Sequence, residues 1–210
     1  MGSDENYQFN AKIYDVLDRT YFRKAATSPR NAVISLLNNE PIQVLDMCTG
    51  TGTNALAIAG VRKNAKVTGI DISAAMLQKA EAKREQAGLS NVKLIHMDAT
   101  NLQFANEEFD VVLISLVLHE LSPDLAKQLI REARRVLKNV GKLIVVEWEE
   151  PVSRLKRIPF HLVKKTESAG FEDFLKCEMD QYFFRFGFEM TQTIHCDYSK
   201  VMVLSKNDQV

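Results

Sequence analysis

Residues 44–54 read Val-Leu-Asp-Met-Cys-Thr-Gly-Thr-Gly-Thr-Asn, an apolar run that ends in an acid and passes into a glycine loop. Gly50-x-Gly52-x-x-Ala55 fits the GxGxxG/A pattern that brings backbone close to a nucleotide, and Asp71 follows 21 residues beyond Gly50. A carboxylate there suits the hydroxyls of a ribose. Both a nicotinamide dinucleotide and S-adenosylmethionine present such a ribose, so Asp71 alone does not separate them. Asp46, four residues before Gly50, favours the second, because an acid repels a pyrophosphate and attracts an ammonium or a sulfonium. Asp98, in His-Met-Asp-Ala-Thr, is placed to accept a hydrogen bond from an adenine amino group. No Tyr-x-x-x-Lys pair is present to run hydride chemistry.

Further along, Ser115, Leu116 and His119 sit where a fourth strand would end. An imidazole titrates near neutrality, so His119 suits deprotonation of an acidic nucleophile; a satisfied histidine at a helix start is the competing reading. Glu147, Glu149 and Glu150 are weaker candidates to bind or deprotonate a substrate, against a plain solvated loop. His96, His119, His161 and His195 lack ligand spacing, and Cys48, Cys177 and Cys196 show no CxxC pattern. Neither a metal site nor a disulfide framework is expected.

The elements that must position these residues alternate. Helices are expected over 7–21 and 31–37, the second after the Ser28-Pro29 break. Strands are expected over Ile-Gln-Val-Leu-Asp-Met, Ala-Lys-Val-Thr-Gly-Ile-Asp, Val-Lys-Leu-Ile-His-Met-Asp, 109–118 and Lys-Leu-Ile-Val-Val-Glu-Trp. Between them lie helices, one with Ser73 as N-cap and Gly88 as its stop, another with Ser122 as N-cap, Pro123 at its first position and Gly141 just past its end. Such alternation means βαβ units and a parallel sheet with helices on both faces. The tail reads as one aromatic-rich helix ending at Gly187, then two strands joined by an Asp197-Tyr198-Ser199 turn.

Length and composition suit one soluble domain: 210 residues, with 27 basic and 27 acidic side chains. The balance argues against a nucleic-acid partner. No apolar run is long enough to span a bilayer, and Met-Gly-Ser-Asp-Glu-Asn-Tyr-Gln lacks the features of a signal peptide, so the cytoplasm is the expected compartment. Residues 1–40 are read as a helical cap, 41–148 as the cofactor-binding core and 149–210 as a lid or substrate segment with the terminal hairpin. Within it, 151–167 mixes basic and apolar residues, which suits a lid helix with a solvated basic face; a membrane-facing segment is the alternative. Tyr7, Phe9, Tyr14, Phe160, Phe183 and Phe184 are candidates to wall a pocket, although aromatics at helical spacing more often form core.

Taken together, Val-Leu-Asp-Met-Cys-Thr-Gly-Thr-Gly, Val-Thr-Gly-Ile-Asp-Ile-Ser, Met-Asp-Ala-Thr and the pair Leu118-His119 resemble successive motifs of the class I S-adenosylmethionine-dependent methyltransferases, over roughly residues 40 to 148. The resemblance implies a Rossmann-like α/β fold, a seven-stranded sheet in the order 3-2-1-4-5-7-6 with strand seven antiparallel. It also implies that Thr49, Gly50, Thr51 and Gly52 offer backbone to the cofactor, and that Asp71 grips its ribose. Asp46 would act on its methionine end, and Asp98 and Ala99 would border its adenine with Ile72 or Met76 on the ring face. Ser115 and Leu116 would meet cofactor and substrate. Cys48 stands where the family has its first glycine, which argues against a left-handed backbone there. Tyr14-Asp15 and Val-Val-Glu-Trp-Glu-Glu-Pro are similar to the UbiE-like branch, whose terminal segments are not reproduced. The implied activity is in-line transfer of a methyl group to O, N, S or C of a small molecule, leaving S-adenosylhomocysteine. An NAD(P)-dependent oxidoreductase and a non-catalytic S-adenosylmethionine-binding protein are the alternatives.

Overall fold

The computed structural model describes residues 25–167 and 170–207. The helix expected over 7–21, with Tyr7, Phe9 and Tyr14, lies outside them, as does most of the expected 1–40 cap. Seven strands form one sheet: β1 (Gln43–Met47), β2 (Lys66–Asp71), β3 (Val92–His96), β4 (Phe109–Ser115), β5 (Leu137–Trp148), β6 (Phe188–His195) and β7 (Ser199–Lys206). Their order is 3-2-1-4-5-7-6, as the resemblance implies. β1 to β5 are parallel, whereas β7 is antiparallel to both β5 and β6. Seven α-helices accompany them among the described residues: α1 (Pro29–Leu36), α2 (Thr53–Val61), α3 (Ala74–Gln86), α4 (Pro123–Val136), α5 (Arg154–Thr166), α6 (Phe171–Leu175) and α7 (Met179–Phe184).

The central strands are apolar on both sides because both faces of the sheet are covered. Val44, Val111, Leu113, Ile144 and Val146 pack with Val33 of α1 and Ala55, Ile58 and Ala59 of α2. Their neighbours Leu45, Met47, Val112, Ile114 and Val145 face the other way, onto α4 and α7. In α4, Ala126, Leu129, Ile130 and Ala133 make the buried stripe at helical spacing. The caps are as expected: the Ser73 and Ser122 hydroxyls accept hydrogen bonds from Met76 N–H and Leu125 N–H.

Several boundaries differ from the sequence expectation. α1 starts on Pro29 itself, where proline's missing N–H costs nothing. α4 stops at Val136, and Gly141 lies inside β5; an added Cβ there would stand 2.7 Å from Leu137 Cδ1 and 2.9 Å from the Asp110 carbonyl, so close strand approach explains this glycine. β4 ends at Ser115 rather than 118, because Leu116 turns the chain with φ 53°. The aromatic tail is two helices, not one: Phe171 is buried under α5, whereas Met179 and Phe183 are buried against the sheet, so the chain must change direction between them. Phe160 and Phe183 are core, and Phe184 is half-exposed. No described helix is long and apolar enough to cross a membrane.

Because β1 lies between β2 and β4, the chain leaves β1 on one side and later returns on the other. A crevice opens at such a switch point, beyond the carboxyl ends of the strands. Met47, Asp71, His96, Ser115 and Trp148 are the last strand residues at that edge.

Candidate cofactor and acceptor site

The loop after β1 carries three left-handed residues, Cys48 (φ 57°), Gly50 (φ 57°) and Gly52 (φ 75°). The expectation that Cys48 avoids this region is therefore overturned. A side chain there costs about 1–2 kcal/mol, and the surrounding bonds hold the turn regardless. Thr49 N–H donates to the Ile70 carbonyl at 2.8 Å, and the Thr49 hydroxyl to Asp46 Oδ2 at 2.6 Å. Gly50 N–H donates to Asp71 Oδ2 at 2.8 Å. The two glycines have different surroundings. A Cβ on Gly50 would meet nothing within 4 Å, whereas one on Gly52 would stand 2.9 Å from Ala80 Cβ of α3. Gly50 leaves a side open for a ligand; Gly52 lets α3 press on the loop. The Lys83 ammonium, also from α3, donates to Thr51 Oγ1 at 2.9 Å.

Asp71 is the hinge of this arrangement. Its Oδ2 takes Gly50 N–H and its Oδ1 takes Ser73 N–H at 2.8 Å, which binds the β1 loop to the turn after β2. A carboxylate has about four lone-pair sites, so acceptor capacity remains for a ribose diol. Burial raises its pKa and the backbone donors oppose that rise. Asp46 is buried behind the loop, where burial pushes its pKa up to about 7. The Cys48 thiol is pushed up to about 12 by burial and by the charges of Asp71, Asp46, Asp98 and Glu120. It stays protonated at neutral pH. Asp98 is exposed and accepts from Thr100 N–H and Oγ1. Ile72 is exposed beside Asp71, whereas Met76 and Ala99 are core. Ser115 Oγ accepts from Asn54 Nδ2 at 3.0 Å, a link from β4 to α2.

Beyond β4 a second centre forms. Glu147, 0% exposed on β5, accepts from Val117 N–H (3.2 Å) and Leu118 N–H (2.8 Å) on Oε1, and from His119 Nδ1 (2.7 Å) on Oε2. The solvated-loop reading of Glu147 is thus corrected. The other side of the ring faces two more acids: Nε2 lies 3.5 Å from Glu167 Oε2 and 3.8 Å from Glu120 Oε1. Burial disfavours the charged ring, but Glu147 and Glu167 override it and push the His119 pKa up to about 10. Phe171 meets the ring edge-on at 5.3 Å between centroids. α5 and α6 close over this centre through Phe160, Val163 and Phe171, packed on Trp148. Lys156 to Asp197 (2.7 Å) and Lys164 to Glu150 (3.0 Å) anchor α5, and Glu149 pairs with His195.

The structure thus joins Asp46 and Asp71 through the loop that holds Cys48, sets Asp98 two residues beyond the end of β3, and pairs His119 with Glu147 beyond β4. Sequence reading passed over Asn54 and Glu167. Glu167 had no signal, because it joins the site only through the path of α5.

The methyltransferase-domain family matches residues 44–141. A demethylmenaquinone methyltransferase of Thermotoga maritima is 34% identical over 142 residues, covering 67% of this chain and 59% of that protein. The Bacillus subtilis demethylmenaquinone methyltransferase is 31% identical, covering 67% and 60%. The chain therefore spans about three fifths of the length of these relatives. Among solved structures, a SAM-dependent methyltransferase from Aquifex aeolicus superposes with a TM-score of 0.73 at 18% identity, over 97% of this chain and 98% of that one. The [4+2]-cyclase SpnF superposes at 0.69 and 20% identity, over 90% and 84%. Those two likenesses concern the fold alone, which hosts more than one chemistry. The domain match, the motifs and the sheet order agree: residues 44–141 are similar to a methyltransferase domain, and the sheet has the order that the resemblance implies.

Proposed function

We propose that this chain transfers a methyl group from S-adenosylmethionine to a small-molecule acceptor, and that it acts as a UbiE-like enzyme in a single domain. The observation that supports it most is the Asp71 carboxylate, held by Gly50 N–H and Ser73 N–H beside the open side of Gly50. That surface fits a nucleoside: a fixed acceptor for the ribose hydroxyls, exposed Ile72 for the ring face, exposed Asp98 at the ring's edge. Asp46 accepts the Thr49 hydroxyl and so holds the loop at the end where a methionine ammonium would lie. When bound, the cofactor supplies a methyl group on an electron-poor sulfonium, and alignment and dryness do most of the remaining work. The lid helices and the Trp148 cluster supply the exclusion of water. His119 keeps its proton near neutrality while Glu147 and Glu167 flank it, so acting as a base requires those acids to move away.

Calorimetric titration with S-adenosylmethionine, S-adenosylhomocysteine and NAD tests this reading. The two sulfur ligands should bind and NAD should not. Asp71→Ala should weaken the former by about 1.5–3 kcal/mol, the worth of a charge-assisted hydrogen bond. NAD binding would restore the oxidoreductase alternative. Binding without turnover across an acceptor panel would favour a binding protein.

The lid adds a partner. Leu155, Ile158 and Leu162 make an exposed apolar stripe on α5, next to exposed Arg154, Arg157 and Lys165. An apolar stripe beside a cationic band suits an anionic lipid surface, and we infer that α5 rests on one. The protein should pellet with phosphatidylglycerol vesicles and not with phosphatidylcholine ones. Leu155→Glu with Ile158→Glu should lower the partitioning by at least about tenfold, since each buried aliphatic side chain is worth about 1.5–3 kcal/mol. Equal pelleting of both forms would sink the inference.

A further inference from the structure

We propose that His119, Glu120 and Glu167 form a binding site for a divalent transition-metal cation, with Glu147 holding the histidine in the ligating orientation. One donor atom from each of the three lies within 4.8 Å of the other two. The edges from His119 Nε2, 3.5 Å and 3.8 Å, are close to the roughly 3.4 Å edge of a tetrahedron with metal–ligand bonds of about 2.1 Å. Small rotations of two glutamate side chains close the remainder.

The support behind the donors is of the kind metal-bound histidines have. Glu147 Oε2 accepts from Nδ1 at 2.7 Å, and Oε1 is fixed by two backbone N–H groups. That bond sets the tautomer, turns the Nε2 lone pair toward Glu120 and Glu167, and makes the ring a better ligand. The His119 side chain is 1% exposed, Glu167 11% and Glu120 38%, so a cation could enter from the Glu120 side and be largely shielded once bound. Charge favours it as well. Glu120, Glu147 and Glu167 place three carboxylates around one imidazole, and an ion of charge two offsets them better than one proton does. On binding, the Nε2 proton leaves to solvent and the nitrogen lone pair goes to the metal. One imidazole with two carboxylates suits Zn²⁺, Mn²⁺ or Fe²⁺ and leaves at least one position open.

The donors come from two elements. His119 and Glu120 lie in the short 3-10 turn Leu118–Glu120 after β4, and Glu167 caps the end of α5. A bound ion would therefore tie the lid to the edge of the sheet.

Protein dialysed against chelator should be titrated with Zn²⁺ by calorimetry and with Co²⁺ by visible ligand-field absorption. One ion per chain is expected, with a raised melting temperature at saturating Zn²⁺. Glu167→Gln, which keeps the shape of the side chain and removes its charge, should weaken binding at least about tenfold, as should Glu120→Gln. His195→Ala, at the separate His195–Glu149 pair, should leave it unchanged. Absence of binding in the wild type overturns the proposal. So does binding that survives both glutamine variants or is lost in His195→Ala. Neither measurement uses S-adenosylmethionine, so failure here leaves the methyl-transfer reading standing, and the converse.

Discussion

Glu147→Ala is expected to destabilise the protein by about 3–5 kcal/mol, because it removes one side of a buried, hydrogen-bonded pair. In a chain of this size that is a fall in melting temperature of about 6–20 °C. The carboxylate is fully buried and serves Val117 N–H, Leu118 N–H and His119 Nδ1 at once. Alanine would leave these donors in a space too dry to solvate them, with Glu120 and Glu167 still facing the ring. Glu149→Ala, two residues on and paired with the exposed His195, should cost less than about 1 kcal/mol. Comparing the two melting curves isolates burial from charge. If both variants melt alike, the buried network does not hold the turn after β4. Any metal must be removed from both samples first, so that the loss is not one of bound ion.

Gly52→Ala is the second large effect, at about 2–4 kcal/mol. About 1–2 kcal/mol of this arises from a Cβ in left-handed backbone and the rest from overpacking. The new methyl would stand 2.9 Å from Ala80 Cβ, an atom fixed to the backbone of α3 that cannot swing away. Gly50→Ala carries only the backbone cost, since its Cβ meets nothing within 4 Å. The discriminating variant is Gly52→Ala with Ala80→Gly, which removes the clash and keeps the strain. Denaturant unfolding of the two singles and the double should give a favourable coupling of about 1–2 kcal/mol. Zero coupling would mean that α3 does not press on the loop as described. The cofactor surface should respond in the opposite order. Gly50→Ala fills the open side, so it should harm ligand binding more than its small loss of stability suggests.

Much of this protein was legible from residue types at fixed spacing. The alternation of apolar runs and capped helices, the Gly50-x-Gly52 loop and Asp71 at a strand end are local features, and local propensity sets them. Asp46, Asp71 and Asp98 could be singled out because each lies within two residues of the end of an apolar strand, toward one edge of a parallel sheet. The sheet order followed from resemblance to a family rather than from any residue.

What the sequence determined by itself was thus the class of fold and the strand ends at which its candidate acids lie. Tertiary structure decided the rest. Cys48 adopts a left-handed backbone that its own preference opposes, because the bonds of Thr49 and Gly50, the next two residues, outweigh it. Glu147 is buried rather than solvated because β7 pairs with β5 and helices α5 and α6 pack on its end at Trp148, which no local pattern records. His119 and Glu167 stand 48 positions apart in the chain and 3.5 Å apart in space. Periodicity reports which face of an element is buried; it does not report which element will bury it, and that is set by the packing of the whole chain.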